Sequence, residues 1–256
     1  MLAGRRLSLT GLGLILALGF GWPVAAQDGA SWMRVDTVQV RPDKLDDFVE
    51  LYQEVINPAL RRAGVPWRSA RETGEFGETY QRLFVTPMAS FTELDRGGPL
   101  ARSLEPRQLS RVLSRLREYT DSRQSHAVLY RADLSLESED VTGLPIARVT
   151  NLQIAPGRAA EFEAFLRSNL ENFRSAGVVF GVYHRQFGPG PVIWQVVENL
   201  RSYGELSRGG ILRAFSNDES ADALAGLTGV VTGVERTILA YDASLGYRGA
   251  DLSTVP

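Results

Sequence analysis

The sequence predicts an α+β protein made of two tandem copies of one βαββαβ unit, with the sheets of the two copies packed together. Two segments recur at almost the same spacing, one after 114 residues and the other after 112 residues. In addition, several predicted strands are apolar on both faces, which indicates that each face is covered by protein. We therefore expect two interdependent halves rather than two separate domains.

The first recurring segment occupies residues 38–48 and 152–162, which read VQVRPDKLDDF and LQIAPGRAAEF. Each copy has the pattern of a strand, a turn with proline, a basic residue and the start of an amphipathic helix. The second occupies residues 90–100 and 202–212, which read SFTELDRGGPL and SYGELSRGGIL and share an Arg-Gly-Gly motif. Two matches in the same order indicate an internal duplication.

The first unit is predicted over residues 33–134. Its four strands are expected at 33–40, 67–71, 80–85 and 126–130. An apolar stripe at helical spacing predicts a helix from Leu45, which Pro58 bends or restarts and Gly64 ends. A second, longer helix is predicted from Leu109 to Tyr119.

The second unit is predicted over residues 146–245, after a polar and acidic linker at 135–145. Its helix runs from Phe162 to Phe173, and a weaker helical pattern lies at 224–231. Its strands are expected at 146–154, 178–187, 192–198 and 237–241. In each half this order gives a four-stranded antiparallel sheet with two helices on one face, the ferredoxin-like unit.

The repeated pattern Gln-[Val/Ile]-x-Pro-x-[Lys/Arg], followed by a helix with phenylalanine, resembles the dimeric α+β barrel superfamily. The NIPSNAP-like and antibiotic-biosynthesis-monooxygenase-like domains are the most similar members. Two subunits of that group usually pair sheet against sheet into a barrel. The resemblance implies that this chain builds an intramolecular pseudo-dimeric α+β barrel from its own two units. The shared motifs are structural, so no catalytic residue is carried over.

Residues 1–26 have the pattern of a bacterial export signal. Arg5 and Arg6 precede an apolar run at 7–20, and small residues at 24–26 suit cleavage. A periplasmic or secreted protein with no membrane contact after cleavage is therefore predicted. An uncleaved membrane anchor is the alternative, because the run approaches spanning length. The route, general secretion or twin-arginine export, stays open.

The composition excludes several classes of chemistry. The chain has no cysteine and only two histidines, which rules out thiol catalysis, cysteine-ligated metals and a multi-histidine zinc site. No metal and no cofactor are expected. After removal of the signal, 26 basic and 30 acidic residues remain, which argues against a general nucleic-acid binder. Lys44 is the only lysine beside 27 arginines, which reflects coding bias or anion recognition by guanidinium groups.

His184 is the candidate catalytic residue. It lies within a predicted strand and shares a face with Phe180 and Val182, while Tyr183 and Arg185 point the other way. If the face with His184 lines the barrel, the imidazole is placed to act as a general base. The alternative is a histidine hydrogen-bonded within a packed sheet. His126, the other histidine, is expected to be exposed.

A ligand site is predicted on the central strands, where aromatic and charged residues suit an apolar or aromatic molecule with an acidic group. Core packing and surface ion pairs, such as one between Glu198 and Arg185, are the alternatives. The predicted ligand-binding residues are Tyr80, Arg82, Tyr183, Arg185, Trp194 and Glu198.

The Arg-Gly-Gly motifs at 96–98 and 208–210 have two interpretations, an anion-binding loop or a glycine cap that ends a short helix. No nucleophile elbow, phosphate-binding loop or zinc-protease motif is present.

The first functional hypothesis is therefore an exported protein without catalytic activity that binds a small molecule in or beside its barrel, at a site weighted toward the second half. A cofactor-independent oxygenase or isomerase with His184 as base is the second. A structural or interaction module with a filled barrel is the third.

Overall fold

The computed structural model describes residues 31–137, 144–216, 222–223 and 225–248. The predicted export signal and residues 138–143 of the predicted linker lie outside the described residues. The first half contributes the strands β1 (Ser31–Val40), β2 (Trp67–Thr73), β3 (Gln81–Met88) and β4 (Thr120–Tyr130). The second half contributes β5 (Ile146–Ile154), β6 (Gly181–Phe187), β7 (Ile193–Leu200) and β8 (Val231–Tyr241), followed by a short β9 (Tyr247–Arg248).

Eight of these strands close into one antiparallel barrel, as the sequence predicts. The order around the barrel is β3-β1-β4-β6-β7-β5-β8-β2, and β2 pairs again with β3. Two seams join the halves: β4 pairs with β6, and β2 pairs with β8. The halves are thus hydrogen-bonded edge to edge, so the strands at the seams have partners on both sides.

The helices lie outside the barrel. In the first half, α1 (Leu45–Leu51) passes through a π-helical segment (Tyr52–Ile56) into α2 (Asn57–Arg62), and α3 (Thr92–Asp95), α4 (Gly98–Ser103) and α5 (Pro106–Tyr119) follow. The π segment ends two residues before Pro58, which has no N–H to donate to the carbonyl one turn earlier. The helix was expected to bend or restart at Pro58. In the structure it continues without a break but changes from α to π and back to α.

The second half contains one long helix, α6 (Ala159–Ser175). Its Arg-Gly-Gly segment forms two 3-10 turns, Tyr203–Arg208 and Gly210–Ala214. The weaker helix predicted at 224–231 is found in part: residues 222–223 and 225–226 are helical, but Val231 begins β8. None of the helices in the described ranges has both the length and the apolar character that a membrane crossing needs.

Each half has its own apolar core between the outer face of its strands and its helices. Phe48 and Phe84 are fully buried in the first core, and Phe162 and Trp194 in the second. Since side chains alternate along a strand, the neighbours of these strand residues point into the barrel. That inner face carries polar side chains, including Arg71, His126, Tyr183, Arg185 and Gln195, so it is less apolar than the sequence suggests.

The two halves exchange the segments that follow their last strands. Leu134 comes after β4 of the first half and is fully buried in the core of the second. Leu245 comes after β8 of the second half and is fully buried in the core of the first. There the Asn57 side chain donates from Nδ2 to the Leu245 carbonyl over 2.9 Å. Each core is therefore completed by the other half.

Candidate functional site

The six predicted ligand-binding residues do not converge on one site. Strand pairing directs Tyr183 and Arg185 into the barrel, whereas Trp194 and Glu198 lie on the outer face of the second half. Arg82 lies on the outer face of the first half, and Tyr80 precedes β3. Alternation along a strand predicts which residues share a face, but these residues lie on different strands of a closed barrel.

Arg82 is held by acidic side chains. Its Nη2 atom lies 2.9 Å from Glu72 Oε2, and its Nε atom lies 3.7 Å from Asp242 Oδ2. Tyr80 has a positive φ of 65°, and its carbonyl accepts a hydrogen bond from the Val40 amide. Both residues therefore have a structural explanation.

His184 faces the helix layer rather than the barrel interior. Its ring stacks on Trp194 with a centroid distance of 4.2 Å and an interplanar angle of 8°. Nδ1 lies 2.7 Å from the side-chain nitrogen of Gln186, while Nε2 is buried without a hydrogen-bond partner in the described structure. Burial, together with the charge of Arg131, lowers the pKa of His184 to about 4. The imidazole is therefore neutral at pH 7 and a weak base.

Trp194 is part of the second core. Its ring meets Phe162 edge to face at 5.4 Å, and the Arg131 guanidinium lies 5.5 Å from it. Arg131 is itself fixed by Asp133 and Glu163, each at 2.8 Å. This environment corresponds to the packing alternative considered for Trp194 from the sequence.

Glu198 pairs with Arg148, not with Arg185. Arg148 donates from Nε to Oε2 of Glu198 over 2.8 Å and from Nη2 to Oε1 over 2.9 Å, and both side chains are buried. Arg185 instead lies inside the barrel with its Nη1 atom 2.8 Å from His126 Nε2. His126 is half-buried rather than exposed as expected, and its burial together with this guanidinium lowers its pKa.

The first half contains a cleft of about 220 Å³ between the outer face of its strands and the helices α2, α4 and α5. Its wall is largely apolar and includes Ile56, Leu60, Met88, Leu100, Leu109 and Leu113. Gly97 and Gly98 of the first Arg-Gly-Gly motif lie at its edge. The motif thus borders a cavity, which neither sequence interpretation anticipated.

The polar floor of this cleft is rich in arginine. Asp36 lies 3.1 Å from both Arg34 and Arg123, and these contacts offset burial and lower its pKa. Arg68 is only 5% exposed and forms no ion pair among the described residues. Its guanidinium lies 4.1 Å from the Phe84 ring, and its Nε atom has no hydrogen-bond partner in the part of the chain that the structure describes. A buried guanidinium without an acid is costly unless an anion compensates it.

Sequence reasoning missed Arg68. The available signal was an arginine that alternates with the small Ala70 on the helix-facing side of β2, where apolar residues are usual. Its importance depends on the lack of an acidic neighbour, which only the tertiary contacts reveal.

The second half has a cavity of similar volume, also about 220 Å³, with a different lining. It lies beside the ends of β5, β6 and β7, and its polar wall consists of Glu198, Asn199, Arg201, Glu205, Arg208 and Arg213. The duplicated fold therefore frames an apolar cleft in one half and a charged cavity in the other. No group of acidic and histidine side chains in the described ranges is arranged to hold a metal ion.

No protein-family model matches the sequence, and no curated protein matches it. Solved structures do match the fold. An anthrone oxidase-like protein superposes with a TM-score of 0.59 at 12% identity, covering 86% of this chain and 94% of its own. A Lactobacillus acidophilus protein assigned as a monooxygenase gives a TM-score of 0.55 at 7% identity. That match covers 87% of this chain and 98% of the other.

A variant chlorite dismutase from Candidatus Nitrospira defluvii gives a TM-score of 0.50 at 10% identity, covering 84% of this chain and 92% of its own. At such identities the likeness establishes the fold and leaves the activity open. The closed barrel, the external helices and these similarities together show that the chain has the dimeric α+β barrel fold, with both halves of the barrel in one polypeptide.

Proposed function

We propose that this protein binds a small, mostly apolar molecule with an acidic group in the cleft of the first half, beside the barrel. The observation that carries the proposal is Arg68, a buried guanidinium without an acidic partner at the floor of an apolar cavity. Ligand sites commonly combine an apolar wall with a few polar groups that fix orientation. The sequence favoured a site weighted toward the second half, whereas the apolar cleft lies in the first.

The charge of the floor supports an acidic ligand. Arg34, Arg68 and Arg123 carry three positive charges, and Asp36 neutralises one of them. Glu93, at the rim, lies 3.5 Å from Arg102 and is thereby paired. A carboxylate at Arg68 would form a charge-assisted hydrogen bond, which is stronger than one between neutral groups.

The volume supports a small ligand. A cavity of about 220 Å³ is below the ~300–1,000 Å³ that is typical of sites for drug-sized molecules. We therefore expect a short acyl chain or a single aromatic ring with a carboxylate, rather than a large cofactor.

The first test compares octanoate with octanol by isothermal titration calorimetry. We expect octanoate to bind roughly tenfold more tightly, because only the carboxylate pairs with Arg68. In the Arg68→Met variant this preference should disappear while weak binding of the alcohol persists. Equal affinity for both probes in the unaltered protein would contradict the acidic-group assignment. No binding of either would favour the structural module.

The apolar wall is tested with Leu113→Glu, which places a charge in the cleft at a half-exposed helix position. Val234→Glu makes a similar change at an exposed strand position outside the cleft and serves as the matched control. We expect only the first variant to lose octanoate binding. Native mass spectrometry of protein purified from its own compartment would then identify the natural ligand.

The hypothesis of an oxygenase or isomerase with His184 as base has less support from the geometry. Its imidazole lies on the helix-facing side of β6 and stacks on a buried tryptophan. The lowered pKa also makes it a poor base at neutral pH. If a substrate is found, unchanged turnover in His184→Ala would exclude this role.

Export to the periplasm or beyond is also part of the proposal, on the strength of residues 1–26. Cell fractionation with N-terminal sequencing tests it. A mature chain beginning near Gln27 is expected, and an intact N-terminus in the cytoplasmic fraction would refute it.

A further inference from the structure

We propose that the charged cavity of the second half is a binding site for a compact oxyanion of the phosphate or sulfate type, separate from the apolar cleft. The cavity lies beside the ends of β5, β6 and β7 and measures about 220 Å³. Its charges, a buried arginine behind its wall, and the second Arg-Gly-Gly motif each support this assignment.

The lining has more positive than negative charge. Glu198 is already occupied by the two-point contact with Arg148, and Arg213 approaches it only to 3.8 Å. Glu205 accepts from Arg208 Nη1 over 3.3 Å and from the Arg201 backbone amide over 2.9 Å. Three guanidinium groups and two carboxylates line the cavity, and Arg148, which lies outside the lining, already pairs with Glu198. Counted with Arg148, this set has two more positive than negative charges.

Arg71 adds a further positive charge behind the cavity wall. It is 9% exposed and forms no ion pair among the described residues, and its Nη1 atom has no hydrogen-bond partner. Its Nη2 atom donates to Oδ1 of Asn199 over 3.0 Å. This contact links Arg71 to Asn199, one of the residues that line the cavity.

The second Arg-Gly-Gly motif explains why the cavity has this shape. Gly209 and Gly210 have φ angles of 80° and 68°, which glycine adopts without steric cost. A Cβ atom on Gly210 would lie 3.1 Å from Arg148 Nη2, so the turn packs directly on the buried ion pair. This close approach positions Arg208 at the cavity wall. Planar guanidinium groups are well suited to oxyanions, because they donate paired hydrogen bonds.

The duplication supplies a matched control. Arg96 occupies the same place in the first Arg-Gly-Gly motif, but it does not line the apolar cleft. Arg208→Gln and Arg96→Gln therefore remove the same charge from the same motif in two different surroundings. Arg208 is well exposed, so the fold should tolerate its replacement.

The experiment is calorimetric titration of the full mature chain with inorganic phosphate at low ionic strength. We expect saturable binding that Arg208→Gln weakens about two- to fivefold and Arg213→Gln at least as much, while Arg96→Gln leaves it unchanged. Glycerol 3-phosphate forms a second arm: tighter binding than phosphate would indicate that the natural ligand carries the anion as an ester.

Two results would overturn the proposal. One is the lack of phosphate binding by a folded protein, checked by circular dichroism. The other is equal weakening by Arg96→Gln and Arg208→Gln, which would indicate nonspecific attraction to a basic surface. Neither outcome bears on octanoate binding in the first half, so this site and the apolar cleft can fail independently.

Discussion

Arg148 and Glu198 form a two-point ion pair, with N–O distances of 2.8 and 2.9 Å, that is closed off from solvent in the second half only. At the corresponding places of the first half, 114 and 112 residues earlier, stand Arg34 and Thr86. There the arginine pairs with Asp36 on its own strand. Both halves thus pair an arginine with an acid at this shared position, but only Arg148 of the second half is buried.

We expect Arg148→Met to destabilise the protein by about 3–5 kcal/mol, because it leaves the Glu198 carboxylate buried without a partner. The double variant Arg148→Met with Glu198→Leu should recover most of that loss, since no unpaired charge remains. Urea denaturation measures both. Arg158→Ala is the control, because its partner Glu161 is exposed and the loss should stay below about 1 kcal/mol. Equal effects of the two single variants would contradict the argument.

Arg71→Met should stabilise the protein, in contrast to Arg148→Met. Arg71 is buried and its Nη1 atom has no hydrogen-bond partner among the described residues, so a methionine, which is shorter but unbranched, removes an uncompensated charge and keeps an apolar side chain there. We expect an increase in unfolding free energy of about 1–2 kcal/mol in phosphate-free buffer. Chemical denaturation tests the sign, and a clear destabilisation would show that the Asn199 contact outweighs the unpaired group.

The exchanged segments predict that the halves unfold together. Leu245→Ala and Leu134→Ala each remove a fully buried side chain from the core of the opposite half, which should cost about 2–5 kcal/mol. Each loss should lower the stability of the whole molecule. Denaturation followed separately by Trp67 and Trp194 fluorescence, in variants where that residue is the only tryptophan left, should give coincident curves. Two separated transitions would refute the interdependence.

The lowered pKa of His184 predicts that the stability of the protein depends on pH. Burial and Arg131 lower the pKa of His184 to about 4 in the folded protein, so the unfolded chain takes up the proton first as the pH falls. Stability should therefore decrease between about pH 6.5 and pH 4. His184→Phe keeps a ring on Trp194 and removes this contribution. Its unfolding free energy should vary less with pH than that of the unaltered protein, and an identical pH profile would contradict the assignment.

The sequence predicted the number and order of the eight barrel strands because alternation, proline and glycine act locally. The strands β4 and β8 nevertheless begin six residues before the predicted starts at 126 and 237. The repeat at 38–48 and 152–162 located the start of both units, and β1 and β5 lie where it predicts them. The helix predicted at 224–231 was placed too far along the chain, since residues 225–226 are helical but Val231 belongs to a strand. The apolar periodicity there is short, and the pairing of β8 with β5 determines the structure of Val231.

The candidate site was harder to predict than the fold. His184 and Trp194 attract attention by residue type, yet their stacked rings belong to the packing of the second core. Arg68 and Arg71 are inconspicuous in a chain with so many arginines. They stand out only because neither forms an ion pair with any described residue, which is a property of the folded neighbourhood.

The sequence by itself determined the duplication, the order of elements in each half and which residues share a face, because these follow from spacing along the chain. The tertiary structure decided which face meets the helices, which strands join the halves and which arginines are left without an acid. These features depend on pairing between strands far apart in sequence, such as β2 with β8, and on the packing of Leu134 and Leu245 into opposite cores. Local sequence patterns carry no information about such partners. Which charged residues line the two cavities is therefore known only from the folded structure.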